Sequence, residues 1–297
     1  DLHSFPTRRS SDLHIDISKA FENETRLIRI KQGEREYCTT KEVLKEEKRM
    51  IHLARQGIGK LAPLYDYTPL FRNLEEQQAN AVGHVLTTKD RVSIIRGAAG
   101  TGKTTLMKEA KYWIEKTGKK VIAVAPTAQA ARSVLKEDGF ENAETVAKLL
   151  SDPKLQDTLK HQVLLVDEAG LLGTKDMANL LHLATEKKAR VILVGDTRQH
   201  ASVIRGDALR ILNTVGNIQT AEVSKIHRQK NVHYRSIVED LSRGNIVDAF
   251  EKLDQSQFLK SYDPLHPHKA LVDDYMKALS KRKTALVISP THTEGYM

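Results

Sequence analysis

The stretch from Arg91 to Leu106 constrains this chain more than any other. It reads Arg-Val-Ser-Ile-Ile-Arg, then Gly97-Ala98-Ala99-Gly100-Thr101-Gly102-Lys103-Thr104, then Thr105-Leu106. The β-branched run predicts a buried strand, the small residues a tight loop, and Lys103 the start of a helix. Glycine at 97, 100 and 102 allows backbone angles closed to other residues, so successive N–H groups can turn inward around a phosphate. The helix start adds the positive end of its dipole. In that setting the Lys103 ammonium reaches β- and γ-phosphates and the Thr104 hydroxyl ligates Mg²⁺. An ordinary glycine-rich turn is the alternative, and the strand before and helix after disfavour it. The residues expected to hold ATP and its Mg²⁺ are therefore Gly97, Ala98, Ala99, Gly100, Thr101, Gly102, Lys103, Thr104 and Thr105.

Strands and helices alternate after this loop. Strands are expected at Lys120–Ala125, Gln162–Val166 and Arg190–Val194, ending respectively in Pro126-Thr127, Asp167-Glu168-Ala169 and Gly195-Asp196-Thr197-Arg198-Gln199. Such alternation implies βαβ units, hence an α/β fold with a parallel sheet covered by helices on both faces. Ligands of such sheets sit at the carboxyl ends of the strands, where all these clusters fall. Asp167, emerging from an apolar strand, suits a Mg²⁺ ligand opposite Thr104, and Glu168 suits the general base for an attacking water. Gln199 is placed to orient that water or sense the γ-phosphate. A helix is expected from Leu74, apolar at Leu74, Ala81, Val82, Val85 and Leu86, with Gln78 on the same side. Its amide offers the donor and acceptor that an adenine edge requires, although a surface glutamine has the same spacing.

The outer bounds come from composition. At 297 residues the chain can hold two domains. Lys and Arg outnumber Asp and Glu by 47 to 38, a formal charge of +9 that favours a polyanionic partner, nucleic acid first. The single Cys38 rules out an internal disulfide and a zinc cluster of cysteines. No apolar run approaches the length of a membrane span, so the expectation is a soluble cytoplasmic protein. Residues 1–13 lack periodicity, and Ser4–Leu13 back-translates into a common sequencing adapter. They are expected to be an assembly artefact, or otherwise a disordered basic arm. Residues 14–66 read as a helical lead-in with Thr39 as N-cap and Glu42 completing a capping box.

Together these motifs resemble a known family. Leu74…Gln78…Ala81-Val82, the phosphate loop, Ala125-Pro126-Thr127, Val166-Asp167-Glu168-Ala169, Gly195-Asp196-Thr197-Arg198-Gln199 and His227-Arg228-Gln229 occur in that order. The set is similar to the Q motif and motifs I, Ia, II, III and IV of superfamily 1 helicases of the RecD-like branch. The wording around Gly195–Val203 and Tyr37–Leu44 resembles the helicase part of TraI/TrwC-type (MobF) conjugative relaxases. The resemblance implies a P-loop NTPase with RecA-like lobes, driving 5′–3′ movement on single-stranded DNA by ATP hydrolysis. It implies that Gln78 contacts adenine, Lys103 and Thr104 hold phosphate and Mg²⁺, Asp167 is the metal ligand and Glu168 the base. It further implies that Gln199 couples γ-phosphate to DNA, that Arg228 is an arginine finger, and that Pro126 and Thr127 line the strand path. Relaxosome or conjugation proteins are the implied partners.

In this reading residues 67–216 form the first lobe and 217–297 the start of an incomplete second one, with helices near Val232–Ser242 and Pro267–Leu279 and a strand at Thr284–Ile288. No counterpart of a strand-transfer domain is seen, and His266, His268 and His292 are scattered. The chain is accordingly expected to be an internal fragment. Two alternatives stand beside it, a RecD-like repair helicase and a P-loop ATPase that remodels protein.

With few aromatic residues, 5% of the chain, and an excess of basic ones, single-strand binding is expected to be chiefly electrostatic. Each neutralised phosphate then adds roughly 0.7 to the log–log salt slope. A salt titration of oligonucleotide affinity checks this, and a flat dependence would contradict it.

Overall fold

Apolar, β-branched segments just long enough for a strand, each flanked by helix-forming sequence, build a sheet buried on both faces. The computed structural model describes residues 19, 21–98, 100–196, 206–225, 231–259, 261, 263, 265–266, 268–281 and 284–288. They divide into two bodies, with the boundary after residue 230.

In the first body, strands β3 (Val92–Gly97), β4 (Val121–Ala125), β5 (Glu144–Thr145), β6 (Val163–Val166), β7 (Arg190–Gly195) and β8 (Thr220–Val223) form one sheet in the order β5-β4-β6-β7-β3-β8. Every pairing in it is parallel. From β3 the chain crosses over β7 and β6 to lay down β4, then returns through β6 and β7 before placing β8 on the far side of β3. All carboxyl ends therefore lie at one edge, with the reversal beside β3.

Side chains alternate across the strands and so supply two cores. Ile94, Leu164, Val166, Val191 and Leu193 face one, and Ile95, Val163, Leu165, Ile192 and Val194 face the other. The second core is closed by α2 (Glu76–Thr87), through Ala81, Val82, Val85 and Leu86, and by α3 (Lys103–Lys116), through Leu106, Met107, Ala110 and Ile114. The first core is closed by α6 (Thr174–Glu186), by α7 (Ala208–Thr214), and by Met50 and Ala54 of α1 (Lys41–Arg55). Between α3 and α6 lie two short helices, α4 (Val146–Ser151) and α5 (Pro153–Asp157).

The lead-in differs from expectation. It is not simply helical: β1 (Leu27–Gln32) and β2 (Arg35–Thr40) form an antiparallel hairpin that turns at Gly33, with φ +62°. The N-cap of α1 is Thr40, not Thr39; its Oγ1 accepts from Val43 N at 3.2 Å. Because Met50 and Ala54 are buried, α1 covers the sheet itself. Residues 220–223, grouped by sequence with the second lobe, pair with β3 as the edge of this sheet. Five of the aromatic residues gather in one place. Tyr65, Tyr67, Phe71, Tyr112 and Trp113 make edge-to-face contacts, and Lys116 lies over the rings of Tyr112 and Trp113.

The second body contains α8 (Val232–Arg243), α9 (Ile246–Gln255) and α10 (Lys269–Ser280). Asn231 caps α8 through its Oδ1, and Gly244 at φ +83° ends it and admits the turn into α9. Lys252 pairs with Asp240 across that turn, and Ile237 and Ala249 are buried. The strand expected at Thr284–Ile288 is absent; those residues make no ladder, and α9 occupies a segment for which no helix was foreseen. Among the described residues no helix is long and apolar enough to cross a membrane.

A buried charge ties the layers together. Arg190, at the start of β7 and 3% exposed, donates to the carbonyls of Thr88 (3.0 Å), Asp90 (2.9 Å) and Ala62 (2.9 Å). Burial lowers its pKa to about 10. Replacing it orphans carbonyls that water cannot easily reach, so Arg190→Leu is expected to destabilise the first body by about 3 kcal/mol. Urea unfolding measures this, and a loss below about 1 kcal/mol would mean that solvent replaces the guanidinium.

Candidate nucleotide site

The phosphate loop is held by its own backbone and by one side chain of α2. At its start, Ala98 O accepts from Thr101 Oγ1 at 2.9 Å, and Thr101 is fully buried. Gly100 and Gly102 have φ of +81° and +77°, and Gly102 is the N-cap of α3. A Cβ on Gly97 would come within 2.9 Å of Thr101 Oγ1, and one on Gly102 within 2.5 Å of Gln78 Nε2. Two of the glycines are thus required by close approach as well as by turning. The Lys103 Nζ donates to Gly97 O at 3.0 Å, which folds the ammonium back across the mouth of the loop. Thr104 is half-buried and Thr105 exposed. Ala99 lies outside the described residues.

Gln78 is no surface glutamine. It is 5% exposed; its Nε2 donates to Thr101 O at 2.9 Å and its Oε1 accepts from Glu75 N at 3.3 Å. The amide therefore braces the phosphate loop against the first turn of α2.

Asp167 and Glu168 leave the end of β6, two strands from β3 with β7 between them. At roughly 4.8 Å per strand that separation is about 10 Å, enough for a phosphate and a cation between the two ends. Asp167 N donates to Val124 O at 2.9 Å, and its Oδ1 accepts from Glu168 N at 2.9 Å. Glu168 sits in the left-handed region at φ 49°, ψ 37°, which turns the chain sharply after Asp167. The turn that follows, Ala169–Leu171, is packed against the end of β7: a Cβ on Gly170 would meet Asp196 O at 2.7 Å, and one on Gly195 would meet Gly170 N at 2.9 Å. This glycine–glycine contact sets the distance between the two strand ends. The spacing of motifs in sequence carries no sign of it.

Burial, followed by the adjacent Glu168 charge, raises the pKa of Asp167 to about 6, while the Lys103 ammonium acts in the opposite direction. The phosphate loop and the acidic pair are thus within electrostatic reach of each other. Pro126 and Thr127 follow β4 on the other flank of β6; Thr127 is exposed, and its Oγ1 accepts from Ala130 N at 3.2 Å at the start of a π-helical turn, Ala130–Leu135. Its O–H is left as a donor towards solvent. Gln199 and Arg228 lie outside the described residues.

The buried Asp167 carboxylate and the Thr104 hydroxyl lie at the same edge of the sheet and together make a partial donor set for a cation. Among the described residues no group of three or more His, Cys, Asp or Glu could hold a metal ion by itself. That donor set fits Mg²⁺, which is commonly held by one or two carboxylates plus phosphate oxygens and water. Asp167 and Thr104 would hold it, and it would supply charge neutralisation at the phosphates.

The raised pKa of Asp167 has two consequences. Between its unfolded value of 3.8 and about 6 the folded state binds the extra proton, so this group's contribution favours folding at acid pH and is lost as pH rises through about 6. Asp167→Asn should therefore stabilise the ligand-free protein at pH 7.5 by about 1–3 kcal/mol in thermal or urea unfolding. A Mg²⁺ ion ligated by Asp167 would compete with that proton, and Mg²⁺-dependent nucleotide affinity would then fall as pH drops below about 6 in the wild type. A wild-type affinity unchanged between pH 5 and 7.5 would remove Asp167 from the metal.

The chain is similar to several known proteins. The chain is 33% identical over 199 residues to a conjugal transfer protein TraA of Rhizobium radiobacter, covering 66% of this chain and 18% of that one. It is 27% identical over 227 residues to the multifunctional conjugation protein TraI of Escherichia coli K12, covering 71% and 13% respectively. To the ATP-dependent RecD2 DNA helicase of Deinococcus radiodurans it is 32% identical over 164 residues, covering 53% and 22%. The chain thus spans about a fifth or less of the length of these relatives. Residues 73–264, which hold the phosphate loop, the acidic pair and all six strands of the main sheet, match the model of a single family, and the chain belongs to that family, the AAA domain.

Proposed function

We propose that this chain carries the nucleotide-binding body of an ATP-dependent DNA helicase, the helicase part of a conjugative relaxase moving 5′ to 3′ on single strands in the cytoplasm. The observation behind this reading is that the phosphate loop with Lys103 and the acidic pair Asp167-Glu168 lie at the carboxyl-end edge of one parallel sheet, in a chain similar to conjugal transfer proteins and to a RecD2 helicase.

In this scheme Lys103 leaves Gly97 O to bind the β- and γ-phosphates, and the loop N–H groups from Ala98 to Thr105 surround them. Asp167 and Thr104 hold Mg²⁺, and Glu168 takes the proton of the water that attacks the γ-phosphorus as the bridging bond to the β-phosphate breaks. Gln199 orients that water and links it to the DNA. Arg228 brings positive charge to the γ-phosphate, worth roughly 10³–10⁵ in rate for such a group. Gln78 contacts the adenine edge with the second N–H of its Nε2 while the first keeps its bond to Thr101 O. Pro126 and Thr127 line the strand path through backbone groups and the free hydroxyl donor. The second body is the start of a second RecA-like lobe, a reading supported by the apolar side chains of Val247, Phe250, Val272 and Met276 that it leaves at its surface.

A RecD-like recombination helicase is the second reading, favoured by the 32% identity to RecD2. Relaxosome proteins are partners only under the first.

The tests use the full-length protein. Lys103→Ala is expected to weaken binding of a fluorescent ATP analogue at least tenfold, and Glu168→Gln to leave binding intact while suppressing turnover. Single-stranded DNA should stimulate ATP hydrolysis and a 5′-tailed duplex should be unwound, with Arg228→Ala abolishing both. ATPase activity indifferent to DNA would favour the protein-remodelling alternative instead.

A further inference from the structure

The first turn of α2 is engaged on two sides. Gln78 holds the phosphate loop through Thr101 O, as described above. Its neighbour Gln77 reaches the other way: its Oε1 accepts from the backbone N–H of Ser224 at 2.9 Å and of Lys225 at 3.1 Å, and its Nε2 lies 3.3 Å from Ser224 Oγ. Glu75, the N-cap of the same turn, pairs with the Lys225 ammonium at 2.5 Å. Ser224 and Lys225 are where the chain leaves β8, the edge strand of the sheet. Backbone N–H groups there have no further strand to bond, and one side-chain amide serves both of them.

These contacts make a short mechanical link. Thr101 is fully buried, and Gly102 approaches Gln78 so closely that a single Cβ would collide with it. Movement of the loop at Thr101 is therefore passed to the Gln78 amide. Gln77 and Gln78 are consecutive residues of one helical turn, which is too stiff to absorb the displacement between them. The acceptor held against Ser224 and Lys225 must shift or tighten with the loop. Arg228 follows Lys225 by three residues in the sequence.

We propose that Gln77 is a positioning residue that couples the phosphate loop to the exit of β8, so that nucleotide at the loop secures the backbone of Ser224 and Lys225. The inference rests on the nucleotide-binding reading given under Proposed function. The geometry separates two roles that sequence leaves together in one Gln-Gln pair: one amide for the loop, one for the strand exit.

Amide hydrogen exchange at Ser224 and Lys225 in the full-length protein tests the proposal, measured with and without Mg²⁺ and a non-hydrolysable ATP analogue. In the wild type, saturating analogue should slow exchange at these amides at least about fivefold, the low end of ordinary coupling between sites. Gln77→Glu keeps an acceptor for both N–H groups and should preserve the slowing. Gln77→Leu should abolish it while analogue still binds, weakened by no more than the factor seen in wild-type exchange, because coupling is reciprocal. Equal slowing in Gln77→Leu would overturn the role of Gln77. Analogue binding to the wild type without any slowing would overturn the coupling and leave the nucleotide site standing. Failure of the wild type to bind the analogue overturns both.

Discussion

The site depends on a loop that has to reverse direction within a few residues while the carbonyls of Gly97, Ala98 and Thr101 each find a donor. Gly100 and Gly102 supply the left-handed backbone, Thr101 closes the turn onto Ala98 O, and Gln78 donates to the carbonyl of Thr101. Once that conformation is set, α3 must start at Lys103, with its dipole end and ammonium both at the loop. The burial of Leu106, Met107 and Ala110 fixes the direction in which the helix leaves. Loop chemistry and core packing are thus parts of a single constraint.

A parallel sheet cannot present such a loop unless both faces are covered, because its strands are apolar on each side. The covering on one face comes partly from α1, which lies well outside the motif region in sequence. Its Met50 and Ala54 pack in the same core as Leu164, Val166 and Leu193, the strands that end in the acidic pair and beside Asp196. The Gly170–Gly195 contact then draws those strand ends together. Asp167 is buried as a result, and its carboxyl is costly to ionise without a cation. A site poised in this way gains more from a bound metal than an exposed aspartate would, since the metal removes a penalty that the fold has imposed.

The few aromatic residues illustrate how composition can mislead. At 5% of the chain they suggest no stacking surface, yet Tyr65, Tyr67, Phe71, Tyr112 and Trp113 come together from two separate segments. Lys116 completes the group by lying over two of the rings. Frequency counts have no access to such long-range clustering.

Sequence alone determined the features whose physics is local. The loop from Gly97 to Thr104 needs particular residue types at particular spacings, the strands before it and before Asp167 are continuous apolar runs, and the apolar face of α2 follows helical period. These could be read because each depends on neighbours within one or two turns of chain. Register and distance could not be read. The hairpin at Leu27–Thr40 is mostly exposed and lacks a clean alternation, and the capping hydroxyl moved by one residue because Thr39 and Thr40 are equivalent in pattern. β8 looked like the start of another lobe until its pairing with β3 placed it at the edge of this sheet. The opposite duties of Gln77 and Gln78, the raised pKa of Asp167 and the glycine contact between strand ends all arise between segments far apart in the chain. Only tertiary structure decided them, because burial and close approach are properties of the packed pair and of neither segment by itself.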